Sequence, residues 1–246
     1  MTQESILLLA ALIFAAALLY ASVGHGGASG YLAAMALFGV APEVMKPTAL
    51  VLNVLVSALA ALHFARAGLF DWKLFWPFAL FSVPFAFIGG AIHAPSPVYK
   101  SIVGLVLLFA AARFVVQAAA ANTEPKAEPA RWIAFVWGSA IGLLSGLTGV
   151  GGGIFLTPLL LFAGWADTRR AAAVSAVFIL VNSIAGLSGH LASLGQVPGA
   201  IRYWAAAALA GGWLGARAGS RYLGAKSMRR VLGAVLIVAG LKLILT

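Results

Sequence analysis

The chain has no cysteine, and only 9% of its 246 residues are charged. The first absence removes disulfides, thiolate metal sites and cysteine nucleophiles. The second removes the soluble globular domain, whose charged shell takes roughly a quarter of its residues. Acids are scarcest: Glu4, Glu43, Asp71, Glu124, Glu128 and Asp167 complete the set, and each falls in a loop or terminus. No carboxylate interrupts an apolar run. Cation pumps and proton-coupled cation carriers place one there, so the pattern argues against a cation as cargo. It leaves open a coupling ion, proton or sodium, held by other groups. Nothing in the spacing calls for a metal or any other cofactor.

What fills the chain instead is apolar. Hydrophobic residues make up 63% of it, and the mean hydropathy is +1.03. They come in runs: Ile6 to Tyr20, Ala49 to Phe64, Leu74 to Ile92, Ile102 to Val116, Val174 to Ile184, Ala205 to Leu214 and Val231 to Leu241. Several, with their flanks, reach the roughly 20 residues that span a bilayer core of about 30 Å. The expected fold is an all-α integral membrane protein of about 8–10 helical segments. Trp72, Trp132, Trp137, Trp165 and Trp204 lie near segment ends, as interfacial aromatics do. The net charge of +10 then reads as basic loops facing the cytoplasm rather than nucleic-acid binding. Met1 to Ser5 holds Glu4 and no Lys or Arg, so the first helix is expected to stay in place rather than be cleaved as a signal.

The soluble-looking stretch Ala118 to Ala130 contains Asn122, Thr123, Glu124, Pro125, Lys126, Glu128 and Pro129. It reads as a cytoplasmic linker over 121–130, between a first repeat at 1–120 and a second at 131–246. The halves are related. Gly24-His25-Gly26-Gly27 aligns with Gly149-Val150-Gly151-Gly152, and Thr48, His63 and Gly68 align with Ser175, His190 and Gly195. Each half has five apolar stretches. A long one enters a Gly-rich break (Gly24 to Gly30; Gly146 to Gly153), a short one follows (Tyr31 to Val40; Ile154 to Ala163), and three ordinary spans complete the set. A helix of about ten residues covers roughly 15 Å, half a bilayer.

Charge decides how the broken pairs run, because Lys and Arg collect on the cytoplasmic side. Were each pair a single crossing, the sixteen basic residues would divide 9 to 7. As hairpins, only Lys46, Lys100, Arg202 and Lys242 fall on the minority side, a division of 12 to 4. The hairpin reading places both termini outside and makes the two halves inverted repeats, the arrangement that opens a central site alternately to either face.

The breaks are the place for chemistry. Irregular backbone at membrane depth survives only inside protein or beside a polar cavity, and glycine both allows positive φ and leaves its N–H uncovered. The short helices, expected to start at about Tyr31 and Ile154, would aim their N-terminal dipoles and free amides at the space between the halves, which favours an anion. The expected substrate-binding residues are Gly24, His25, Gly26, Gly27, Gly149, Gly151, Gly152 and Gly153, with Thr48 and Ser175 aligned across the repeat. Asn53, Ser57, Asn182 and Ser183 follow the breaks, where they either line the cavity or bond helices together. His63 and His190 occupy equivalent positions in apolar segments. Each is either a proton-coupling group or a histidine satisfied by backbone near a helix end. Gly211, Gly215 and Gly219 form a small-residue face for packing. An enzyme alternative rests on Gly27-Ala28-Ser29-Gly30, a G-x-S-G pattern with His190 as base, and is weakened by Gly153-Ile154-Phe155 at the equivalent place, where no serine stands.

At these residues the chain resembles the TauE/SafE sulfite-exporter family, also called TSUP. Its hallmark is two copies of G-x-G-G-G followed closely by proline in a short duplicated bundle. Gly149-Val150-Gly151-Gly152-Gly153 with Pro158 matches the second copy. The first, Gly24-His25-Gly26-Gly27-Ala28, ends in alanine and has Ala33 where the proline would align. The resemblance extends over nearly the whole chain. It implies a cell-membrane transporter of small, often sulfur-containing anions such as sulfite or organosulfonates, with an anion channel of the same architecture as the neighbouring alternative.

Overall fold

The computed structural model describes residues 2–22, 24–116, 129–190, 197–219, 236–238 and 240–245, all of whose regular structure is helical. Most of the linker and Gly195 lie outside these residues. The elements are α1 (Gln3–Ala21), α2 (Ala28–Leu37), α3 (Pro42–Arg66), α4 (Trp72–Ala91), α5 (Ser96–Val116), α6 (Arg131–Thr148), α7 (Gly153–Phe162), α8 (Thr168–Gly189) and α9 (Ile201–Gly219), with helical turns again between Leu236 and Leu245. Of these, α1, α3, α4 and α8 are long and apolar enough to cross a membrane. The lengths repeat: 19, 10, 25 and 20 residues for α1 to α4 against 18, 10, 22 and 19 for α6 to α9.

Acids do the work of capping. Asp71 accepts from the Leu74 N–H at the start of α4, and Asp167 accepts from the Arg169 and Arg170 N–H groups at the start of α8, each satisfying donors the helix leaves open. Arg170 also pairs with Asp71, tying the two helix starts together. Burial raises the Asp71 carboxyl, but its bonds to Arg170 and to the Leu74 and Lys73 N–H groups outweigh that and hold it below the usual carboxylate value.

Small residues set the helix pairs. Along α6, a Cβ on Gly138, Gly142 or Gly146 would strike the carbonyl oxygen of Phe78, Ser82 or Ala86 in turn. The matching ascent of the numbers makes α4 and α6 parallel. In the same way Gly211 and Gly215 of α9 sit on the Phe14 and Leu18 carbonyls of α1. Lipid offers no hydrophobic drive between helices, so such close backbone approach is what holds them. At the centre α3 and α8 run antiparallel: Leu50 meets Gly186, Asn53 bonds Ser183, and Ala60, Ala61 and Phe64 pack with Ala172, Ala173 and Ala176.

The helix α2 turns back on α1. Gly30 sits so near Ala16 that a Cβ would come within 2.7 Å of its methyl, and Ser29 donates to the Tyr20 hydroxyl at 2.6 Å. The breaks are also narrower than the sequence suggests. α2 begins at Ala28 rather than Tyr31, and α6 runs through Gly146 to Thr148. Gly30 and Gly146 are glycine because neighbours press on them, and they remain helical. Trp204, near the start of α9, is buried, its indole N–H donating to the Ile6 carbonyl at 3.3 Å, whereas Trp72 and Trp132 are 63% and 68% exposed.

Candidate functional site

Both short helices start on glycine. The N-cap of α2 is Gly27 at φ 97° and that of α7 is Gly152 at φ 83°, and neither supplies a side-chain acceptor to the first N–H groups. Gly24, Gly149 and Gly151 also have positive φ, where an L side chain is strained. Gly26 does not, and there the sequence reasoning needs correcting. Space, not backbone angle, demands glycine, because a Cβ would fall on the Asn53 carboxamide.

Asn53 and Ile179 bring the breaks together. The Asn53 side chain touches Gly26 through Oδ1 and Gly151 through Nδ2, and Ile179 contacts Gly26, Gly151 and Gly153. From mid-α3, Asn53 Nδ2 donates to the Val150 carbonyl at 3.3 Å and to Ser183 Oγ at 2.9 Å. So Asn53 and Ser183 bond helices and border the breaks at once. Asn53 Oδ1 has no partner among the described residues.

A chain of hydrogen bonds crosses from the first break to α7 and α8. His25 Nε2 lies 3.2 Å from the Gly153 carbonyl and 3.1 Å from Thr157 Oγ1, and Thr157 Oγ1 lies 2.8 Å from Ser175 Oγ. A carbonyl only accepts, so Nε2 carries the proton. Thr157 then accepts from the ring and shares a second hydrogen bond with the buried Ser175 hydroxyl. Tyr31 steadies the first break by donating to the Gly26 carbonyl at 2.7 Å.

Other expected residues stand apart. Asn182 accepts from Ser82 Oγ at 2.8 Å, joining α8 to α4, and its Nδ2 lacks a partner among the described residues, as does the buried Thr48 Oγ1. Ser57 donates within its own helix to Val54. His63 is half-buried near the end of α3, edge-on to Phe64. His190 caps α8 and bonds the Gly90 carbonyl through Nδ1 at 3.1 Å. Because α3 and α8 are antiparallel, the two histidines lie at opposite ends of the pair. His190 follows the last residue of α8, where burial and then the Lys46 charge hold it below the usual histidine value, with His93 adding and the Gly90 carbonyl opposing. Ser29 bonds Tyr20 and His190 bonds Gly90, so these hydrogen bonds do not join the serine and base of the hydrolase reading.

Thr157, Tyr31 and Lys46 were not expected. Thr157 precedes Pro158 of the second motif, which was its available signal. Lys46 reads as a loop cation in sequence, yet it is 4% exposed.

The family described as sulfite exporter TauE/SafE matches residues 9–243. A "Probable membrane transporter protein y4hK" of Sinorhizobium fredii is 44% identical over 240 residues, covering 96% of this chain and 97% of its own. A "Probable membrane transporter protein MJ0441" of Methanocaldococcus jannaschii is 30% identical over 207 residues, covering 76% of this chain and 74% of its own. No solved structure matches.

Proposed function

The chain belongs to the sulfite exporter TauE/SafE family, and we propose that it is a membrane transporter of small oxyanions, sulfite and organosulfonates foremost, working by alternating access between two inverted repeats. The observation that carries the reading is the meeting of two uncapped helix starts: His25 of the first break reaches Gly153, the first residue of α7. Each helix N-terminus presents roughly half a positive charge and free N–H groups, and no carboxylate among the described residues lies in the interior of a long helix. An oxyanion meets donors there, and a cation meets repulsion.

Within this reading Gly24, Gly26, Gly27, Gly149, Gly151, Gly152 and Gly153 present backbone to the anion. His25, Asn53 and Ser175 supply side chains around it, while Thr48 and Asn182 stand apart. The antiparallel α3 and α8 support the inversion of the repeats. So does the exchange of partners, α1 with α9 and α6 with α4, which a two-fold relation between repeats requires. Alternating access then follows as one repeat rocks against the other, in the cell membrane with both termini outside. Coupling by a proton would use His63 and His190, which flank the breaks at opposite ends.

Flux into proteoliposomes of purified protein, with each solute class as competitor, tests this. Sulfite, sulfonates and carboxylates compete, while inorganic cations and neutral sugars do not. If an organic cation competes and those anions fail to, the electrostatic reading is wrong. Saturation and countertransport distinguish the carrier from a channel of the same build.

A further inference from the structure

A cavity of about 270 Å³ opens between the first turns of α3, the α4–α5 connection, the start of α5 and the end of α8. Its walls carry Glu43, Lys46, His93, Ser96, Tyr99 and His190. It borders the second break without being part of it. The Tyr99 hydroxyl donates to the Thr148 carbonyl at 3.2 Å, and a Cβ on Gly149 would meet the Lys46 carbonyl at 3.2 Å.

Three of these groups have their hydrogen bonds committed. Lys46 Nζ donates to the carbonyls of Gly89, Gly90 and Ile92 at 3.2, 2.9 and 3.3 Å. Its three protons are used at the negative end of α4, so it offers the cavity charge but no donor. Tyr99 has given its proton to Thr148. The Glu43 carboxylate, the one acid in the wall, accepts from Ser96 Oγ at 2.8 Å.

His190 differs. The Gly90 carbonyl only accepts, so Nδ1 must carry hydrogen, and in the neutral ring Nε2 is a lone pair. That Nε2 is buried and has no partner among the described residues, while the ring as a whole is 5% exposed. The exposed ring of His93 lies against it, centroids 5.3 Å apart. A neutral His190 therefore repels an anion that the Lys46 charge attracts. The conflict ends only when a hydrogen stands between Nε2 and the anion.

We propose that this cavity is a second anion site, apart from the glycine breaks, where a small oxyanion binds together with one proton at His190 Nε2. The proton arrives either on the ring, giving an imidazolium that donates, or on the ligand, as in hydrogensulfite, which donates to the lone pair. The count is one in both cases. The ligand reaches Nε2 as the His93 ring turns aside. Charge balance agrees: Lys46 and a protonated His190 face Glu43, and one bound anion offsets the surplus. For a permanently ionised ligand the proton comes from solvent, so binding tightens about tenfold for each unit of falling pH above the ring's own pKa and levels off below it.

The inference rests on the anion-transport reading, and the test separates the two. Methanesulfonate, ionised throughout, is titrated calorimetrically into purified full-length protein at several pH values, in buffers of different ionisation enthalpy. One proton is taken up per anion at pH values above the ring's own pKa at which Lys46 keeps its charge. His190→Gln, whose amide reaches the Nε2 position and donates without titrating, binds with no uptake and no pH dependence. Binding by the wild type without proton uptake overturns this inference and leaves anion transport standing, and so does uptake that persists in H190Q. Failure to bind methanesulfonate, sulfite or a carboxylate at any pH overturns the transport reading itself. Should H190Q misfold, ¹⁵N-histidine spectra of the wild type decide, because with methanesulfonate the ring that is Nδ1–H in the free protein becomes doubly protonated. A His190 ring that stays neutral at saturation overturns the proposal.

Discussion

The imidazole of His25, in the first break, places Nε2 3.2 Å from the carbonyl oxygen of Gly153, which opens α7 in the second. One side chain of the first repeat thus meets the start of the short helix of the other. Glutamine can present an N–H near the same place and phenylalanine cannot. H25Q is expected to keep part of the anion flux, while H25F loses roughly two- to tenfold, the worth of a hydrogen bond between neutral groups. Equal flux in both variants would remove His25 from the site.

Gly26 and Gly151 both abut Asn53, for different reasons. Gly151→Ala adds strain at φ 83° as well as a collision with Nδ2, whereas Gly26→Ala adds only the collision with Oδ1. A left-handed alanine costs about 1–2 kcal/mol and overpacking about 1–3 kcal/mol. Transport should fall in both variants with membrane expression retained, and further in G151A. A shortening change at the shared neighbour, Asn53→Ala, relieves the collision, so it should restore more of the lost thermal stability, though not the flux, in G26A than in G151A. Normal flux in both single variants would return these glycines to packing.

The α4–α6 seam makes a prediction about stability alone. Gly142→Ala pushes a methyl onto the Ser82 backbone, which has no flexible end to yield, and should destabilise by about 1–3 kcal/mol. Gly199→Ala, with nothing within 4 Å and no positive φ, should leave the melting temperature unchanged or slightly raised. Thermal unfolding in one detergent compares the two, and an unaffected G142A would mean the seam opens freely.

The Asp71–Arg170 pair makes stability depend on pH in a fixed direction. The Asp71 carboxyl titrates below its unfolded value, so its contribution is complete above the unfolded pKa of about 3.9 and is lost as pH falls through the folded one. Arg170→Met should lower stability modestly at neutral pH, by about 0–1 kcal/mol for a partly exposed pair. The difference from wild type should close in strong acid. A gap that instead widens on acidification would contradict the pairing.

Absence of native cysteine makes topology directly readable. Single replacements Ala94→Cys, beside the His190 cavity, and Gly164→Cys, after α7, should label from opposite faces, the first from outside and the second from inside. Labelling from the same face would undo the inverted arrangement.

Much of this architecture was legible in the residues. Apolar runs with no interior carboxylate require helices in lipid, since every backbone group there must be bonded within the segment. Two Gly-rich motifs at matching places in the two halves located the breaks, and the glycines named from sequence include Gly24, Gly27, Gly149, Gly151 and Gly152, all of positive φ. The face formed by Gly211 and Gly215 was read correctly as packing. The equivalent face of Gly138, Gly142 and Gly146 carried the same four-residue spacing and went unnoticed beside the motif that follows it.

What sequence could not decide was which glycine is a hinge and which a contact. Gly30 and Gly146 look like parts of the breaks and are helical, because the need for a missing Cβ arose in Ala16 and Ala86, far away in the chain. Lys46 carries the same lesson: a cation near a helix start reads as solvated until the end of α4 arrives with three open carbonyls. Composition and periodicity determined that the chain is a helical membrane protein, because solvation by lipid acts on every segment separately. The meeting of Asn53 with both breaks, of His25 with Gly153, and of His190 with Gly90 was decided only by tertiary structure, because each depends on two segments that no local property of either one brings together.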